Sequence, residues 1–166
     1  MRINGGETAT LRVLRFSEQD LLARATLGTM NWPGPRFTLE QIKQIPAMAH
    51  YFTQWPGNDD FGLVAEDPDG KAIGVVWLRY FDPTAPGYGF VAESIPELCV
   101  WVAEGQRGRG LGTRLINGIL EQARSQSLHA ISLSVEAGNP ARSVYERLGF
   151  VPAGAAFDPG TLVLHL

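Results

Sequence analysis

The sequence predicts a mixed α/β fold, with about six to seven strands in one sheet and helices on both of its faces. Three observations carry this. An apolar run, Leu98 to Val102, ends in a turn with glycines at 105, 108, 110 and 112. That turn passes into a helical pattern with apolar residues at 111, 115, 116, 119, 120 and 123. Two apolar segments, 61–66 and 71–81, flank Asp67-Pro-Asp-Gly70, a strong hairpin turn. The whole chain then reads as strand, two helices, three strands, helix, strand, helix and two strands, an order that needs helices above and below one sheet.

At 166 residues the chain suits one domain, 1–166, able to bury a genuine core. A net charge of −3 argues against a duplex nucleic-acid partner, which calls for a basic face. The single cysteine excludes an internal disulfide framework and fits a reducing compartment. No run approaches 18 apolar residues and no basic-then-apolar leader opens the chain, so the expectation is a soluble, cytoplasmic protein with no membrane partner.

Taken in order, residues 1–7 are polar and read as a loose tail. Thr8 to Leu14 sets Ala9, Leu11 and Val13 against Thr10 and Arg12, the alternation of a half-buried strand. Ser17 is expected to cap a helix to about Leu27, with Glu18 and Asp20 in its first turn. Met30-Asn-Trp-Pro-Gly-Pro-Arg36 cannot be regular, because two prolines and a glycine break it. Thr38 with Gln41 forms a capping box for a helix to roughly Phe52, interrupted near Pro46. After the hairpin, Asp82 to Pro96 is long and irregular, and loops of this length are often functional. The helix after the glycine turn runs to about Gln126, and Ala130 to Val135 is a strand. Asn139 reads as N-cap, Pro140 as N1 and Gly149 as C′ of a short helix. Phe150 to about Ala153 and Thr161 to Leu166 close the chain as strands.

Strand, glycine turn and amphipathic helix form an anion cradle, since main-chain N–H groups can converge at the helix N-terminus. Arg107 and Arg109 add positive charge. A Walker-type loop is excluded, because Leu111 and Gly112 stand where Lys and Ser or Thr belong. A dinucleotide fingerprint from Gly108 and Gly110 would want a small residue where Thr113 stands, and an opening strand before it. What remains, Arg107-x-x-Gly110-x-Gly112, resembles the pyrophosphate-binding signature of the GNAT-type N-acetyltransferase superfamily. A second segment, Glu136 to Phe150, resembles that family's Asn…Tyr-x-x-x-Gly-Phe stretch, one helix and one strand further on. The firm resemblance covers about residues 97–152.

The resemblance implies a mostly antiparallel sheet of the GNAT type, acetyl-CoA as co-substrate and direct transfer to an amine. It implies that main-chain N–H groups around Arg107, Gly108, Arg109, Gly110 and Gly112, with Thr113, hold the pyrophosphate. Trp101, Val102 and Ala103 would pair with the pantetheine arm through their main chain, an N–H near Val102 polarising the thioester carbonyl. Asn139 would bond the arm or fix its loop, although it stands six residues before Tyr145 where many relatives have seven. Tyr145 would protonate the leaving thiolate. Trp32 lies in the loop that lines the acceptor site in that family.

The expected general base is a carboxylate: Glu97, which opens the central strand and resembles the strand-borne glutamate of some family members, with Glu93 and Asp82 of the preceding loop as alternatives. Cys99 is expected to be buried as a small hydrophobe. His50, His129 and His165 lack metal-ligand spacing, so no metal is expected. The acceptor stays open between a small-molecule amine and a peptide or protein amine, and a homodimer stays open too. So do a non-catalytic coenzyme A-binding module and an acyltransferase with another donor or acceptor.

Overall fold

The structure is a computed structural model that describes residues 9–166, so the tail at 1–7 and Thr8 lie outside the described residues. Its elements are β1 (Thr10–Val13), α1 (Gln19–Met30), α2 (Leu39–Gln44), α3 (Pro46–Ala49), β2 (Phe61–Glu66) and β3 (Ala72–Arg79). There follow β4 (Glu97–Val102), α4 (Leu111–Ser125), β5 (Ala130–Ser134), α5 (Ala141–Arg147), β6 (Val151–Pro152) and β7 (Thr161–His165). Seven strands form one sheet in the order β1-β2-β3-β4-β5-β7-β6. Every neighbouring pair is antiparallel except β4 and β5.

Each face of the sheet has its own apolar layer. Leu111, Leu115, Ile116 and Ile119 of α4 pack on Val76, Leu78, Leu98, Ile131 and Leu133. On the other face Leu22 of α1, Ile42 of α2 and Phe52 pack on Val64, Val75 and Trp77. With helices on both sides, β3 is buried from Ile73 to Arg79. This is why its sequence reads as a continuous apolar run rather than an alternation.

The seam between β4 and β5 is short. The one registered pair is Glu97 with Ser132, and Ser132 N–H donates to the Pro96 carbonyl at 3.0 Å. Beyond it the strands diverge. Ala103 N–H donates to Ile73 O on β3. Hydrogen-bonding direction alternates along an antiparallel pair, so the main chain of Trp101 and Ala103 faces β3. The N–H and C=O groups of Val100 and Val102 therefore face the gap.

Local signals set several boundaries as expected and miss others. The Thr38 capping box is present in full: Gln41 N–H donates to Thr38 Oγ1, and Thr38 N–H to Gln41 Oε1. Pro46 splits the helix into α2 and α3, and both end before Phe52. Ser17 is not the cap of α1; Glu18 takes that place without a side-chain capping bond, and the helix runs on to Met30. The reason is long-range: the Glu18 carboxylate is held by Arg12 of β1 and by Arg15 N–H. α5 begins one residue later than expected, at Ala141, although the Asn139 side chain does accept the Ala141 N–H at 3.0 Å.

Replacing Thr38 by Ala should cost about 1 kcal/mol of unfolding free energy, the usual worth of a lost N-cap, measurable by urea denaturation.

Candidate functional site

The divergence of β4 and β5 opens a cleft of about 760 Å³. Its walls include Glu97, Cys99 and Val100 of β4, Ser134 at the end of β5 with Val135 to Ala137 beyond it, Tyr145 of α5, and Met30, Trp32 and Phe37. A second cavity of about 260 Å³ is lined by Gly28, Thr29 and Trp32 on one side and by Val100, Trp101, Val102 and Arg107 on another. Thr29, Trp32, Val100, Asn139 and Tyr145 line both cavities, so the two adjoin at these residues.

Glu97 is 3% exposed. Its Oε1 accepts the Tyr51 hydroxyl at 2.6 Å and Gly89 N–H at 3.0 Å. Its Oε2 is buried with no partner among the described residues. Tyr51 is fixed in turn: its oxygen accepts Tyr88 N–H at 2.7 Å, and its carbonyl accepts Trp77 Nε1–H at 3.0 Å. The irregular segment 82–96 thus delivers two main-chain N–H groups to this cluster. Gly87 must be glycine there, because a Cβ would lie 1.9 Å from Glu97 Oε2. Burial raises the Glu97 carboxyl from 4.5 to about 7, against the lowering by Tyr51 and Gly89. Of the three candidate carboxylates, only Glu97 lines the cleft; Asp82 and Glu93 are exposed, and Asp82 is taken up by Thr84.

Tyr145 is half-buried, its ring edge-on to Phe150, and burial pushes its hydroxyl up to about 12. The phenol is therefore protonated at neutral pH. Cys99 is half-buried rather than sealed in the core, and its thiol, on the cleft wall, is raised by burial. Trp32 stands between the two cavities. Its loop is shaped by Asn31, whose side chain donates to Phe37 O and accepts the N–H groups of Arg36 and Phe37. Arg36 then spans the cleft mouth to Glu136 with bonds of 2.7 and 3.1 Å, holding that carboxyl below its usual range.

At the far end, Arg107 Nε donates to the gap-facing Val102 carbonyl at 3.2 Å. Gly110 caps α4 with φ +79°, a backbone that favours glycine, and carries no side-chain cap. The N–H groups of Leu111, Gly112 and Thr113 have no acceptor among the described residues. They and the macrodipole of a 15-residue helix present a donor set suited to a phosphate. A Cβ at Gly105, Gly108 or Gly110 would meet nothing within 4 Å, so the loop borders open space. Gly108, Arg109, Gly110, Gly112, Thr113 and Ala103 line neither cavity; Arg107 and Val102 mark the end of the smaller one.

Trp101, Val102 and Ala103 do not all turn their main chain to the gap, as expected from the sequence. Alternation leaves Val102 there, adds Val100, and commits the other two to β3. Tyr51, Gly89 and the Arg36–Glu136 pair carried no local signal, since each acts on a residue distant in sequence or through a main-chain group. Among the described residues, no three His, Cys, Asp or Glu side chains are grouped to hold a metal ion. No helix there is long and apolar enough to cross a membrane.

The acetyltransferase (GNAT) family model matches residues 27–150, and the chain belongs to that family. It is 37% identical over 93 residues to the L-methionine sulfoximine/L-methionine sulfone acetyltransferase of Pseudomonas aeruginosa, a match covering 55% of this chain and 51% of that protein. The chain thus spans about half the length of the curated relatives it matches. A GCN5-related N-acetyltransferase of Ralstonia eutropha superposes with a TM-score of 0.69 at 20% identity, over 91% of this chain and 97% of the other. The spermidine N-acetyltransferase of Vibrio cholerae, solved with CoA and spermine, gives 0.61 at 22% identity over 96% of each chain. These two likenesses concern the fold.

The raised Glu97 carboxyl has a signed consequence for stability. Its neutral form is favoured by folding, a contribution present in full below about pH 4.5 and lost as pH rises through about 7. Thermal melts of Glu97→Gln and wild type should therefore diverge with pH, the variant gaining on wild type between pH 5 and pH 8.

Proposed function

We propose that the protein is an acetyl-CoA-dependent N-acetyltransferase that moves the acetyl group directly to a small-molecule amine. One observation carries this reading: Glu97, with a free buried oxygen, and Tyr145, with a protonated phenol, line one cleft where the sheet parts. A base and an acid are thereby held in a single enclosure, which is what amine acylation at neutral pH requires.

Acetyl-CoA would supply the activated acyl carbon and a thiolate leaving group. The free N–H groups at the head of α4, with Gly108, Arg109 and Gly110 of the turn, suit its diphosphate, and Arg107 and Asn139 suit its arm. The open space around the glycines fits such a group. Glu97 takes one ammonium proton, directly or through a water, and a pKa near 7 matches that task. The Val102 N–H, turned into the gap, donates to the acyl oxygen. As the N–C bond forms and the C–S bond breaks, Tyr145 gives its proton to sulfur, and the second proton released by the acylated nitrogen restores the phenol. Trp32, Phe37, Tyr88 and Met30 wall the acceptor side with mostly apolar surface. The relative that acts on methionine sulfoximine and the neighbour solved with spermine both point to a small amine. A cytoplasmic setting, where acetyl-CoA is at hand, fits the free thiol of Cys99.

Calorimetry with coenzyme A and thiol release across a panel of amines test the reading. Turnover should rise with pH through about 7, and Glu97→Gln should remove that limb. Tight binding with no release on any amine would instead leave a coenzyme A-binding module. Tyr145→Phe should lower kcat by about a hundredfold, in the usual range for a lost acid, while the Kd for coenzyme A holds.

A further inference from the structure

We infer that Gly28 is a positioning residue for the cofactor arm: having no side chain, it lets the Trp101 indole lie against α1 and leaves the smaller cavity open. This rests on the proposed function, in which Arg107 and Asn139 hold the arm; both line the smaller cavity, which makes it the arm's seat. Gly28 lies within α1, and its φ is not positive, so its backbone gives no reason for glycine. A helix would favour alanine there. The reason is contact. A Cβ at Gly28 would lie 2.3 Å from Trp101 Nε1 and 2.6 Å from Cδ1. Carbon contacts begin at about 3.5 Å, so the ring would have to retreat by about 1 Å or more.

The direction of retreat is set by the surroundings. Trp101 sits on β4 in register with Val75 of β3, which anchors its backbone, so the side chain must move. The helix bars one way. The open space is the cavity that Gly28 and Trp101 line together with Val102, Arg107, Pro140 and Ala141. A displaced indole would enter the channel leading from the glycine turn to Tyr145. The larger cleft, with Glu97 and the acceptor wall, does not have Gly28 or Trp101 in its lining and would keep its shape.

The test is a double-mutant cycle of Gly28→Ala and Trp101→Leu, read by calorimetry with coenzyme A, by KM for acetyl-CoA and for the amine, and by thermal melting. With Trp101 in place, Gly28→Ala should raise the Kd for coenzyme A and the KM for acetyl-CoA about tenfold, because the displaced ring occupies the channel. The KM for the amine and the apo melting temperature should stay near wild type. In the Trp101→Leu background the same substitution should have no effect on Kd, because the conflicting ring is gone. An equal effect in both backgrounds, no effect in either, or a Gly28→Ala protein that fails to fold would each overturn the proposal, since each denies that the ring moves into open channel. Failure of the wild-type protein to bind coenzyme A would be a different result, removing the reading of the cavity itself.

Discussion

The structure depends on a seam that is almost not made. Where β4 meets β5, two parallel strands share one registered pair, Glu97 with Ser132, and then part. A sheet interior ordinarily pairs its main-chain groups, because unpaired buried ones are costly. Here the gap-facing groups of Val100 and the Val102 N–H have no strand partner, and the Val102 carbonyl takes only the Arg107 side chain. Everything else bears on that opening: α4 starts at one end of it, Tyr145 of α5 stands on its wall, and the segment 82–96 packs at its base. Gly89 there is so close to Leu133 that a Cβ would sit 2.5 Å from its carbonyl carbon.

The carboxyl at the root of the seam shows how burial and hydrogen bonding oppose each other. Glu97 receives two hydrogen bonds that favour its charged form, yet burial outweighs them and the group stands near neutrality. Had Arg79, its register partner on β3, paired with it, the charge would have been fixed. Arg79 instead approaches Asp60 at 3.5 Å and the Gln54 carbonyl. The chain thus keeps a carboxyl whose proton can come and go, and does so by directing the nearby cation elsewhere.

Legibility in the sequence followed the range of the interaction. The Thr38–Gln41 box, the Asp67 to Gly70 hairpin turn and the turn before α4 are written in adjacent residues, and each is found where expected. Ser17 looked like a cap because Glu18 looked merely acidic; only with β1 beside α1 does Arg12 claim that carboxylate. Tyr51 reaches Glu97 across 46 residues. The tyrosine lies past the end of a helix whose pattern had no reason to single it out. Gly28 lay just past the expected end of the helix at Leu27 and drew no notice, since the ring that requires it lies on a strand more than seventy positions away. The turn glycines marked the open head of α4 by composition alone, whereas which main-chain groups face the gap is a matter of strand register.

The Arg36–Glu136 bridge over the cleft mouth joins residues 100 apart, and its side chains are 37% and 49% exposed. Pairs so open to water hold only weakly. The roof is therefore latched rather than locked. The pair can part without unfolding any of the sheet, and dissolved salt loosens the latch from outside.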